Sequence, residues 1–229
     1  MHGHHADVSG GRLRPAVFGA MDGLVTNIAL IAGVGGGGVA PRTILLTGVA
    51  GTVAGAISMA LGEYTSVRTQ NDQIAAELRK ERREIARYPE AEQAELAAAW
   101  RARGLTAEVA AAVAEQLHRH PKEALRAHAE AELGVVPEEQ PNPWTAGALS
   151  FVCFAIGALI PLVTYLAGID ELWPALAVGG VGLFAVGAVV ARWTYRTWWF
   201  SGLRQLLLGG AAAAVTYLVG AAIGVSGAI

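Results

Sequence analysis

Residues 43–62 read TILLTGVAGTVAGAISMALG, and residues 63–87 follow at once as EYTSVRTQNDQIAAELRKERREIAR. The first part is twenty residues without a charge, the length a helix needs to cross a hydrocarbon core of about 30 Å. The second part has no Gly or Pro and is rich in strong helix formers, so the same helix runs on past the membrane to about Arg87. This predicts an all-α membrane protein in which a polar helical insert interrupts the apolar spans. The charge distribution agrees. Residues 64–143 hold eleven of the seventeen Lys and Arg and fourteen of the nineteen Asp and Glu, leaving eleven charges for the other 149 residues. The whole chain is 16% charged and 53% hydrophobic, whereas an ordinary soluble domain carries about 25% charged residues.

Four further charge-poor stretches lie around this segment. They are Pro15–Val39, with the single acid Asp22, then Trp144–Ile169, Leu172–Ala191 and Leu206–Ile229. Two acids in Gly168-Ile169-Asp170-Glu171 divide the third span from the fourth, so five transmembrane helices are expected. Arg12 and Arg14 precede the first span, and Arg192, Arg196 and Arg204 lie between the fourth and fifth, whereas the other two connections hold only Arg42. That bias puts the N-terminus, the insert and the 192–204 loop in the cytoplasm and the C-terminus outside. The expected division is a tail over 1–14, two spans over 15–67, a cytosolic helical domain over 68–143 and three spans over 144–229. No cleavable signal peptide is expected, because the first apolar run is too long and lacks a small-residue cleavage site.

Trp144 and the Trp198-Trp199-Phe200 cluster suit interfacial anchors. Gly33/Gly37, Gly51/Gly55 and Gly220/Gly224 have the spacing of close helix contacts, although chance among 29 Gly explains any one of them equally well. Pro161 should kink the third span or break a turn. Several functions are excluded. A single cysteine, Cys153, rules out a disulfide framework or a four-Cys zinc site. A net charge of −2 gives no pull toward nucleic acid. Neither a nucleophile–base constellation nor a cofactor motif is present, so neither an enzyme nor a resident cofactor is expected.

Within the insert, Pro89 suits the first turn of a second helix ending at Gly104. Thr106 can cap a third reaching His118, and Pro121 opens a fourth ending at Gly134. At about 100° per residue, Glu77, Glu81 and Glu84 fall within an arc of roughly 60°. Glu92 and Glu95 repeat the three-residue spacing, and His128 and Glu132 sit four apart on one face. Like charges gathered at such spacings repel by a few tenths of a kcal/mol each, and a bound cation would offset that. Carboxylates with one imidazole suit Fe²⁺ or Mn²⁺. The same spacing also fits a solvated helix bundle whose acids pair with nearby arginines, and spacing alone favours that plainer reading.

Asp22 is the only acid well inside an apolar run, and an intramembrane carboxylate is by default a functional candidate. The plainer alternative is an interfacial acid. Met59 offers a thioether, although a lone Met is more often core filler. Glu63 lies one turn further along the same face, at the expected cytoplasmic mouth. Together the three give hard and soft ligands at the membrane entrance. His2, His4 and His5 could bind metal weakly, but a floppy tail explains them as well.

Three stretches resemble the vacuolar iron transporter family: Asp22-Gly23-Leu24-Val25-Thr26-Asn27, Ala54 through Tyr64 with Ser66 and Gln70-Asn71-Asp72, and Gly157-Ala158-Leu159-Ile160-Pro161-Leu162. Their combination and order along the whole chain are far more specific than any one piece. The resemblance implies five membrane helices per subunit, a homodimer, and a cytosolic metal-binding domain between the second and third spans. It also implies movement of Fe²⁺, in some members Mn²⁺, out of the cytosol in exchange for protons. By that resemblance Asp22 and Met59 match the first-span acid and second-span methionine of the path. Glu81, Glu84, Glu92, Glu95 and Glu132 match the metal-collecting glutamates of the cytosolic domain. There are two departures. A methionine pair of the plant type is here His128-Ala129, and a second-span acid of that type falls at Gly51, with Glu63 a candidate substitute.

The leading expectation is therefore a proton-coupled Fe²⁺ or Mn²⁺ exporter of a plasma membrane, bacterial by its Ala-, Gly- and Arg-rich composition. Its expected partners are divalent metal, the lipid bilayer and a second copy of the chain. The alternative is a membrane-anchored metal sensor or scaffold, which would have no use for ligands inside the spans.

Overall fold

The computed structural model describes residues 13–194 and 196–226. The expectations for His2, His4, His5 and Arg12 lie outside the described residues. Among the described residues there is no strand. Of the described residues, those within 13–65 and 143–226 form one compact unit and residues 66–142 a second.

In the first unit five helical segments are long and apolar enough to cross a membrane. Helix α1 spans Leu13–Gly36, and α2 spans Pro41–Arg87, opening on a proline where the missing N–H would be unpaired anyway. The second span thus runs into the polar insert as one unbroken helix. Pro161 has the local effect expected of it. Lacking an N–H, it interrupts the third span as a 3₁₀ turn, Ile160–Leu162, between Pro143–Leu159 and the short Val163–Leu166. Gly168, with φ +79°, then ends that segment in a left-handed conformation that a side chain would strain. The fourth span is Leu172–Thr194 and the fifth is Trp198–Ser226. The fifth therefore begins eight residues before the expected Leu206, and Arg204 stands on a helix rather than in a loop. Gly202 is the weakest helix former in that stretch, and one glycine costs about 1 kcal/mol, too little to stop a long apolar helix.

The spans meet through glycine. A Cβ on Gly220 would land on the carbonyl oxygen of Gly33, and one on Gly224 on that of Gly37, so two of the small-residue pairs in the sequence pack against each other. The tightest approach of α1 to the third span uses glycines that were not paired in the sequence reading: a Cβ on Gly157 would meet the Ala20 carbonyl, and one on Gly23 the Phe154 carbonyl. The fourth and fifth spans and α1 enclose Leu24, Ile28, Ala32, Leu183 and Ala213. The outward faces are also apolar, with Leu46, Val53, Leu61, Leu207, Val215 and Ile223 exposed. Lipid tails supply the missing neighbours for such a surface.

The second unit is helical throughout its ordered elements. The polar end of α2 is followed by α3, Pro89–Ala102, α4, Ala107–His118, and α5, Pro121–His128. Thr106 caps α4, its hydroxyl oxygen accepting from the Val109 N–H at 3.4 Å. After α5 the chain makes one wide π turn, Ala129–Leu133, closed by Gly134 at φ +65°. Leu96, Ala114 and Ala127 form the core, with Trp100 and Leu117 packed against it.

Candidate functional site

In the second unit the polar end of α2, helix α3 and the α5–π segment bring four of the expected ligands around one ring. His128 is fully buried. Its Nδ1 lies 2.8 Å from Glu132 Oε1, 3.0 Å from Glu81 Oε1 and 3.9 Å from Glu92 Oε2. The wide π turn sets residue 132 back over residue 128, and such turns often mark functional positions. Among the described residues, Glu81, His128 and Glu132 form the group whose ligand atoms all fall within 4.8 Å of one another. Glu84 is half-buried and Glu95 exposed, and both stand outside that group.

The arginines of the unit do not neutralise these acids. Arg68 pairs with Asp72, Arg119 with Glu115 and Arg126 with Glu130. Burial therefore acts on the cluster largely uncompensated. It raises the Glu81 carboxyl from 4.5 to about 7, reinforced by the charges of Glu132 and Glu92 and by a hydrogen bond shared with Glu92, and opposed by His128. A single Nδ1 proton cannot serve both Glu132 Oε1 and Glu81 Oε1, so the buried Glu81 Oε1 is left without a hydrogen bond, as is His128 Nε2. Three carboxylates and an imidazole, with one buried acceptor unmatched, fit a divalent cation of oxygen and nitrogen preference.

A pH dependence follows. Between about pH 4.5 and 7 the folded state holds a proton on Glu81 that the unfolded state has released, so the metal-free unit loses stability as pH rises through that window. A metal must displace that proton. Mn²⁺ affinity of the detergent-solubilised protein should therefore decline by up to about tenfold per pH unit once pH drops below about 7. Isothermal titration at pH 8, 7 and 6 checks this, and a flat profile down to pH 5 would contradict it.

In the first unit, Asp22, Met59 and Glu63 line one cavity of about 360 Å³, together with Thr26, Ser58 and Phe154. The structure thus joins the three membrane candidates in one place. Thr26 donates to Asp22 Oδ1 at 3.4 Å, a contact legible in the sequence as a four-residue spacing. Glu63 is 9% exposed. Arg14, 49 positions away, lies 3.6 Å from its Oε2. Sequence reasoning used Arg14 only as an orientation signal, and nothing local marks it as a partner of Glu63.

These observations define a multi-pass membrane protein. The chain belongs to the VIT family, which it matches over residues 13–221. Among named relatives it is 39% identical over 211 residues to a vacuolar iron transporter of Acanthamoeba castellanii, covering 90% of this chain and 73% of that protein. It is 31% identical over 225 residues to vacuolar iron transporter 1 of Oryza sativa subsp. japonica, covering 94% and 88%. The vacuolar iron transporter 1 of Arabidopsis thaliana is 30% identical over 200 residues, covering 83% and 79%. The family is one of membrane transporters, so the chain is not an enzyme.

Proposed function

We propose that this protein carries Fe²⁺, and Mn²⁺ as a second substrate, out of the cytosol across the plasma membrane in exchange for protons. The observation that carries the reading is that Asp22, Met59 and Glu63 line the same cavity in the membrane unit. A sensor or scaffold would need metal ligands only in the insert. The names of the relatives supply the metal.

In this reading the N-terminus and the insert face the cytosol and the C-terminus lies outside, as the Lys and Arg bias requires. Residues 68–143 then act as a cytosolic metal-binding domain. Glu81, Glu92, His128 and Glu132 collect the ion there. Glu84 and Glu95 lie on the same two helices and would join the site from a second copy, because the protein works as a homodimer. Asp22, Met59 and Glu63 then pass the ion into the spans. No resident cofactor is involved, and the metal is the substrate.

Reconstituted vesicles with an acidic lumen test this. Fe²⁺ added outside should accumulate in the lumen, Mn²⁺ should compete, and the detergent-solubilised protein should have the mass of a dimer. Metal that binds but never reaches the lumen would establish the sensor instead.

A further inference from the structure

We propose that His118 is a positioning residue for His128, fixing which of its ring nitrogens faces the metal. The inference rests on the reading of His128 as a ligand. His118 lies in the last turn of α4, half-buried. Its Nδ1 is 3.0 Å from the Ala114 carbonyl oxygen, which can only accept, so Nδ1 carries a proton. That leaves a lone pair on Nε2 of the neutral ring. This Nε2 is buried and has no hydrogen-bond partner.

The His128 ring stands edge-on to it, with centroids 5.4 Å apart and planes at 78°. His128 turns Nδ1 toward Glu81, Glu92 and Glu132, and its own buried Nε2 is likewise without a partner. An ion among the carboxylates must take the lone pair of Nδ1. The neutral His128 ring then carries its proton on Nε2, on the side away from the metal. A buried N–H with no acceptor is costly. His118, whose ring is in contact with that of His128, carries on Nε2 an acceptor of the right kind. Rings 5.4 Å apart can be turned to bring one nitrogen of each within the ~3 Å of a hydrogen bond. Ligand histidines characteristically donate their other N–H to such a partner, and losing it weakens metal affinity about 10–100-fold.

The test is a double-mutant cycle on the full chain in detergent, with Mn²⁺ as the probe and calorimetry as the readout. His118→Phe keeps an aromatic ring against His128 but removes both nitrogens, and should weaken Mn²⁺ binding about tenfold. His118→Gln, which can offer a carbonyl oxygen, should recover most of that loss. In a His128→Ala background His118→Phe should have no further effect, because the residue it positions is gone. The thermal unfolding midpoint of the metal-free protein should fall slightly, and equally with and without His128, from the lost bond to the Ala114 carbonyl. An undiminished affinity in His118→Phe, or an equal loss with and without His128, overturns the proposal while leaving His128 a ligand. An unchanged affinity in His128→Ala overturns both.

Discussion

Asp22→Asn should reduce metal uptake into vesicles to background while leaving Mn²⁺ binding to the insert intact. Asparagine keeps the size of the side chain and an oxygen that can still accept from Thr26, which sits 3.4 Å from Asp22 Oδ1. It cannot hold a negative charge. Asp22 lies in the same cavity as Met59 and Glu63, and Met59 is uncharged. Coulomb attraction is several times stronger there than in water, because the surroundings are poorly polarisable. A charged group in the middle of a bilayer costs on the order of 3 kcal/mol, so removing its counter-charge should slow transport roughly 100-fold. A structural acid at the interface would tolerate the change, since surface substitutions usually move stability by about 0.5 kcal/mol or less. Vesicle uptake of Fe²⁺ by the variant, beside its thermal unfolding in detergent, separates the two. Near wild-type uptake by a well-folded variant would remove Asp22 from the path.

The second large effect belongs to the insert. Changing Glu81 and Glu132 together to Gln should weaken Mn²⁺ binding about 100-fold, from the loss of two charges beside a divalent ion. These are the two acids closest to His128, at 3.0 and 2.8 Å. Glu84→Gln with Glu95→Gln should also weaken binding, because in the homodimer the second copy brings those two acids to the ion although neither belongs to the cluster of one chain. Calorimetric titration of both double variants measures the difference. No loss in Glu84→Gln with Glu95→Gln would mean that the cluster of one chain holds the ion without a second subunit. No loss in Glu81→Gln with Glu132→Gln would reduce the cluster to a buried charge network.

The architecture was open to sequence reasoning because lipid imposes a strong constraint. Spans must be long, apolar and helical, so Thr43–Gly62 and the polar run after it declared themselves. The caps declared themselves too, since Pro89, Thr106, Pro121 and Gly134 each have one place in a helix that suits their backbone chemistry. The start of the fifth helix was less legible, because Arg192, Arg196 and Arg204 look the same in a loop as in a helical turn whose side chains reach water. In the candidate site, periodicity could place Glu81 and Glu84 on one face but could not say which of them turns inward. That depends on the rotation of α2 against α3 and α5, which is a matter of packing. Periodicity was equally silent on Arg14 beside Glu63, since those residues are far apart in the chain and meet only when α1 lies against α2. The π turn after His128 also left no mark, because Ala129–Leu133 reads as ordinary helix.

The central claim is that a metal ion crosses the membrane unit against a flow of protons. It is tested most directly by following both in the same vesicles, with Fe²⁺ supplied outside an acidic lumen that holds a pH-sensitive dye. The lumen should become more alkaline as Fe²⁺ enters, and Asp22→Asn should stop both signals together. Fe²⁺ entry with no change in lumenal pH would contradict the exchange, and no Fe²⁺ entry under any gradient would contradict transport itself.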